Sequence, residues 1–410
     1  PLTSGMERIR RRRARQRLFF MSDFVTGDSI TVNIGKICIW LPWRLNNYVS
    51  FVAMDYGFRF FTGLLLLSLT GLQASAQIMD KIEQVKLDTN YVEAYKDELT
   101  ARVFVSRKQN GYNLSDRLFS PWLKYRTNDN LLLGVGYTYS FLTLNLAVKM
   151  PFINQDDDVY GKSRYLDLNV HTIFRSYIID FYLQWNKGYF VSNPEKADPN
   201  WDPSAGYPIR GDLRTHVLGV NVQHLFNSSR YSYKAAFLQN EFQKRSAGSP
   251  IAGVEAYYML GMSDSVMVQS QIPPQGFLDD QPFNQVDIAN VGVNGGYAYT
   301  FVWNEKLSLS LSTLFGISGG YNQVHYTDNS ITYRSGLTAG LTNSTRISFG
   351  INSKRYYVGL SYRYFSMSNL SPGYADWFSY STGNIRINLV RRFQLNRSIL
   401  ILRPDLWILN

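Results

Sequence analysis

Four histidines, His171, His216, His224 and His325, are the places where acid–base chemistry would start in this 410-residue chain. Nucleophilic catalysis needs a nucleophile beside a base that a third group orients. His171 has Asp167 and Ser176 near it in sequence, but no serine stands two residues along on the same strand face. A lumenal histidine hydrogen-bonded to a carboxylate is the commoner arrangement, so no enzymatic activity is expected. Asp156-Asp157-Asp158 could offer oxygen ligands to Ca²⁺, yet the string lacks the alternation and glycine of an EF-hand loop and reads as a solvated acidic turn. Gly134-Val-Gly136 falls inside a strand-like run and opens no helix, so it is no nucleotide loop. The one cysteine, Cys38, precedes a secretory signal, which leaves no disulfide or thiolate metal site beyond it. No cofactor is expected.

Side chains such as these act only where something holds them, and the apolar pattern says what does. Tyr177, Ile179, Phe181, Leu183 and Trp185 alternate with Asp180, Tyr182 and Gln184. Leu307, Leu309 and Leu311 alternate with serines, and Ile385, Ile387 and Leu389 with Arg386 and Asn388. Period two means strands with one apolar and one polar face. The runs approach the ~9–11 residues that a tilted strand needs to cross a bilayer, against ~5–6 in a soluble sandwich. Aromatic residues such as Trp185, Trp303, Tyr364 and Phe365 cluster toward strand ends, where an interfacial girdle would sit. The expected fold is all-β: a transmembrane antiparallel up-and-down barrel of about twelve strands (twelve to fourteen). A secreted soluble β-sandwich is the alternative.

Short connections of such a barrel share one side. Tight turns are read at Asn128–Asn130, Arg175–Tyr177, Asn227–Arg230, Asn304–Lys306 and Asn352–Arg355. They fall on one side if 131–149 is a single strand with a bulge near Ser140 and 251–260 is part of an extracellular loop. The twelve expected strands are then 99–107, 119–127, 131–149, 164–175, 177–186, 213–226, 231–241, 290–303, 306–318, 333–351, 355–366 and 383–395. With the phase fixed, the candidate lumen-lining residues are Arg102, Asp167, Asn169, His171, Asp180, Arg363, Arg386 and Arg392. Charges of both signs there either form a cross-barrel network that fills the lumen or line a watery path that prefers anions.

The chain opens on Pro1 rather than Met, and residues 1–53, with an arginine run from Arg8 to Arg17, read as an upstream or mistranslated segment. Residues 54–76 read as a signal peptide: Arg59, an apolar stretch Phe60–Leu72, then a small-x-small site that places cleavage between Ala76 and Gln77. The stretch is too short for a spanning helix of ~20 residues. Of the formal net charge of +11, +6 lies in 1–53 and none in 54–76, leaving +5 on residues 77–410. That mild excess makes no polyanion binder, and no nucleic-acid partner is expected. Residues 77–98 form a periplasmic lead, 99–395 the barrel and 396–410 a C-terminal tail.

Several blocks resemble one family: Asp88-Thr-Asn-Tyr91, Leu99-Thr100 with Ser106-Arg-Lys108, Thr143-Leu-Asn-Leu146, the segments Gly161–His171 and Ile179–Phe190, Phe242–Ser249, and Gly296–Thr300. Over residues 85–395 the chain resembles the Bacteroidetes family called domain of unknown function 4421. The resemblance implies an outer-membrane-type barrel without an assigned activity and supplies no catalytic residues. The expected function is that of an outer-membrane barrel, either a small-solute channel or a structural component of the envelope; a lipid- or envelope-modifying enzyme is the alternative. Expected partners are outer-membrane lipid, the barrel-assembly machinery and small polar or anionic solutes, with the protein a monomer.

Overall fold

The computed structural model describes residues 85–394, less 96–97, 118–119, 130, 140–141, 151–152, 154–155, 198–200, 203, 205, 269–281, 328–332 and 373–375. Ahead of these it describes the backbone of two paired strands, Ser29–Ile34 (β1) and Ile37–Pro42 (β2). The signal sequence 54–76, the residues flanking its cleavage point, and the tail 396–410 lie outside the described residues. From residue 85 the strands are β3 (Val92–Ala94), β4 (Glu98–Arg117), β5 (Ser120–Arg126), β6 (Leu131–Tyr139), β7 (Leu142–Lys149), β8 (Arg164–Ile173), β9 (Tyr177–Val191) and β10 (Ile209–Leu225). They continue with β11 (Glu241–Gln243), β12 (Ala247–Met262), β13 (Phe283–Trp303), β14 (Leu307–Tyr326), β15 (Tyr333–Asn352), β16 (Tyr356–Leu370) and β17 (Trp377–Gln394). Among the described residues three short helices intervene: α1 (Asp157–Tyr160), α2 (Pro194–Ala197) and α3 (Tyr233–Phe237).

Alternation along these strands points apolar side chains outward. Phe315, Val148 and Val291 are 66–69% exposed, and Ile317, Leu168 and Leu389 more than half exposed. The opposite positions are polar and buried: Asp180, Asn322, Arg346, Asn221 and Glu255 face inward. A soluble sandwich would reverse both sides. Bilayer hydrocarbon accepts the greasy face where the backbone groups are paired, which closure of the sheet provides everywhere but along the outer edges of β7 and β8.

Ten strands, β4, β5, β9, β10 and β12–β17, pair in an antiparallel ring that closes where β17 meets β4. The short connections 174–176, 304–306 and 353–355 define a turn end, which also carries the longer 226–246 connection; the opposite end is the loop end. In the turn-end half β6, β7 and β8 widen the wall, so twelve strands surround the lumen there: β4, β6–β10 and β12–β17.

Several boundaries differ from the sequence expectation. Residues 128–130 do not reverse the chain. β5 pairs with β4 at Gly111–Arg117 and β6 with the same edge at Thr100–Arg107, so β5 and β6 are one interrupted strand. Asn128 serves the interruption, its Nδ2 donating to the Gly161 carbonyl at 3.0 Å and to Asp156 at 3.1 Å. Conversely, 131–149 is a hairpin and not a bulged strand: β6 and β7 pair as far as Tyr139↔Leu142. A bulge and a two-residue reversal both flip the apolar phase, so phase alone cannot separate them. Residues 251–260 are a wall strand within β12, hydrogen-bonded to β10 on one side and β13 on the other. Residues 231–241 are no wall strand; they are buried throughout and hold α3 and the start of β11, which pairs with β3.

One glycine fixes how the β7–β8 connection seats on β9. Gly188 has φ +87°, and a Cβ there would lie 2.3 Å from the Lys162 carbonyl oxygen. Its own carbonyl accepts from Ser163 Oγ at 2.8 Å. Gly188→Ala should cost about 1–3 kcal/mol through strain and crowding, read as a lower urea midpoint in vesicles. An unchanged midpoint would mean that this conformation imposes no constraint.

Candidate functional site

Both ends of the lumen are filled. At the loop end Tyr112, Tyr125, Tyr189, Phe283, Phe378 and Tyr380 lead an apolar cluster of fully buried side chains. Tyr125 Oη donates to the Met267 carbonyl at 2.6 Å, tying the loop after β12 into that cluster. At the turn end the 226–246 connection turns into the barrel, where Tyr231, Tyr233, Phe237 and Leu238 pack on Ile173, Ile178, Leu225 and Leu314. The cap of α3 comes from Ser232, which accepts from the Ala235 amide at 2.9 Å. A short helix also leaves carbonyls unpaired at its C-terminus. Arginines satisfy them here: Arg102 donates to the Leu238 carbonyl at 2.9 Å, Arg392 to that of Gln239 at 2.8 Å and Arg363 to that of Phe237 at 3.5 Å.

Between the two packed ends lies a cavity of about 800 Å³. Of the residues expected in the lumen, Arg102, Asp167, Asn169, His171, Arg363 and Arg386 line it. Asp180 and Arg392 point inward but are occupied elsewhere. Asp180 is fully buried between the Arg346 guanidinium and His171 Nδ1, the latter at 2.7 Å. Strand register produces this contact, because His171 and Asp180 are opposite each other on β8 and β9. Arg392 is spent on the turn-end carbonyls of Gln239 and Ser353 and on the side chain of Asn352. Outside the spanning strands, burial pushes the Tyr95 phenol up to about 12, opposed by Arg392 lying 4.6 Å from its ring centroid.

The cavity holds more positive than negative charge. Among the described residues its one lining carboxylate, Asp167, pairs with Lys108 and accepts from Gln184 at 3.3 Å. Arg102, Arg363 and Arg386 have no carboxylate partner among the described residues. Arg363 stands directly across from Arg346 in the β15–β16 ladder. The Arg386 guanidinium lies 4.0 Å over the Phe104 ring. Such stacking holds the planar group while leaving its N–H edges for a ligand.

Arg346, Lys108, Arg175 and Glu241 were not singled out by their residue types. Phase gives the first, since its neighbour Ile347 shares the outward face of β15 with Phe349 and Ile351. Nothing local gives Glu241, which lies in the insert and pairs with Arg175. Of the other histidines, His224 contacts Tyr177 and Phe226, His216 sits 6.3 Å from Trp185, and His325 Nε2 lies 3.3 Å from Asp287. Gly316-Ile-Ser318-Gly-Gly320 has the letters of a nucleophile elbow, but it runs inside β14 rather than from strand to helix. Among the described residues no three His, Cys, Asp or Glu side chains gather as a metal site.

These features define a class: an antiparallel β-barrel of the outer-membrane type whose lumen is filled at both ends around a basic cavity. The chain belongs to the family described as Domain of unknown function (DUF4421), whose family model matches residues 86–393. No curated protein matches the chain. Among solved structures it is similar to the outer membrane protease OmpT from Escherichia coli, at 8% identity and TM-score 0.32, covering 73% of this chain and 98% of that one. It is also similar to the P. putida toluene transporter TodX, at 8% identity and TM-score 0.26, covering 73% and 91%. The outer membrane protein OprG from Pseudomonas aeruginosa gives 9% identity and TM-score 0.23, covering 74% and 98%.

Proposed function

We propose that this protein is an outer-membrane barrel that binds a small ligand bearing an anionic group in its basic cavity and does not conduct solutes along its axis. The carrying observation is the pair of packed ends enclosing about 800 Å³ lined by Arg102, Arg363 and Arg386. That volume falls within the ~300–1,000 Å³ of small-molecule sites. Guanidiniums without carboxylate partners in a half-closed, low-dielectric space favour a phosphate or carboxylate. The bilayer is an outer membrane, with the turn end periplasmic, because short turns face the periplasm in such barrels.

Hexyl phosphate titrated into the detergent-solubilised protein tests the reading. Arg363→Gln and Arg386→Gln should each weaken binding about tenfold or more, since a charge-assisted hydrogen bond contributes ~1.5–3 kcal/mol. Unchanged affinity in both variants, with heat-modifiable folding intact, would remove the arginines from the site.

One observation favours a second reading, catalysis on the same scaffold. Asp180 occupies Nδ1 of His171, so Nε2 is the nitrogen left to act, and Ser344 and Ser361 line the same cavity. Hydrolysis of an acyl ester by the protein, abolished in His171→Ala, would favour that reading over simple binding.

A further inference from the structure

The barrel wall has a seam. Among the described residues β7 pairs only with β6, and β8 only with β9. Two unjoined strand edges therefore border one cavity, in the half of the wall where Val148 and Val170 point outward. Open edges cannot be left in hydrocarbon, because each unpaired backbone group costs several kcal/mol there. They are tolerated where they border a water-filled space, and the cavity supplies one. Its lining includes inward Asn145, Ala147 and Asn169 and also outward Leu168 and Val170, so it passes through the wall. Lys149 and Arg164 stand at the loop side of the seam, both exposed and both lining the cavity.

We infer that the seam between β7 and β8 is a lateral portal, through which the cavity takes an acyl-chain amphiphile with an anionic head directly from the bilayer. This deepens the ligand-binding reading and rests on it. The head lodges against Arg363 and Arg386, and the chain lies out through the seam between Leu168 and Val148, against lipid. Charge complementarity selects the head, and the depth of the opening selects the source. With both barrel ends packed, a molecule arriving through the wall needs no rearrangement of either plug.

The test uses the full chain with Cys38→Ser, reconstituted in phosphatidylcholine vesicles that contain 11-(dansylamino)undecanoate as the probe. Probe fluorescence should rise on binding, and Arg363→Gln should weaken that binding about tenfold or more. A Val148→Cys/Leu168→Cys pair bridged by a bifunctional maleimide should reduce probe uptake at least tenfold, whereas capping the same cysteines with a monofunctional maleimide should not. Ala147→Trp fills the seam without cross-linking and should act in the same sense. If Arg363→Gln weakens binding while bridging and Ala147→Trp both leave it unchanged, the portal is overturned and the cavity reading stands. If none of the variants changes binding, both are overturned.

Discussion

The Asp180→Ala barrel is expected to lose about 3–5 kcal/mol of folding stability, the usual cost of stranding one member of a buried ion pair. Asp180 has no exposed surface and Arg346 is 2% exposed. Asp180 accepts from Arg346 on one oxygen and meets His171 on the other. Removing it leaves a guanidinium buried with no counter-charge, beside Arg363 on the next strand. Arg346 also lies 5.5 Å from the ring of Tyr233, so the loss reaches the turn-end insert. Urea unfolding in vesicles reads the effect. The double variant Asp180→Ala/Arg346→Met should recover most of it, because replacing both partners by apolar groups is often close to neutral. A single variant within about 1 kcal/mol of wild type would show that the pair does not hold the barrel.

A comparable effect, confined to one segment, is expected from Glu241→Ala. Glu241 accepts from Arg175 through one carboxylate oxygen and from Ser232 Oγ through the other, at 2.5 Å. Ser232 also caps α3, and Arg175 reaches the Ser228 carbonyl at 3.2 Å. One carboxylate thus ties the turn after β8, the helix cap and β11 together. Its removal should release roughly 3–5 kcal/mol of local stability, which raises amide exchange across 231–243 by roughly two to four orders of magnitude. The ladders of β13–β15 should keep their protection. Uniform acceleration across the barrel would instead make Glu241 a global support.

Most of the wall is legible in the sequence because outward and inward positions differ in chemistry. Leu307–Leu311 and Ile385–Leu389 alternate with serines, asparagine and arginine, and the strands fall where they do for that reason. The inward orientation of Arg102, Asp167, His171, Asp180, Arg363 and Arg386 follows from the same phase. The insert is not legible, because Tyr231, Tyr233 and Phe237 have the period and β-type residues of a strand while every face of them is buried. β12 hides for the converse reason. Its outward side carries Ala252 and Val254 beside Pro250, and a polar Glu255 with Tyr257 on its inner side reads as loop. The insert, which reads as a strand and is none, and β12, which reads as loop and is a strand, offset each other in the strand count. The seam is invisible to composition altogether, since β7 and β8 are ordinary amphipathic strands and what distinguishes them is a missing partner.

Lumen closure is the claim from which the ligand site, the insert and the portal all follow, and conductance across a planar bilayer addresses it directly. The purified protein, inserted and held at steady voltage, should show no stable stepwise current. Reproducible ohmic steps from the wild-type chain would mean that water and ions pass both packed ends, and the cavity would then be a segment of an open pore.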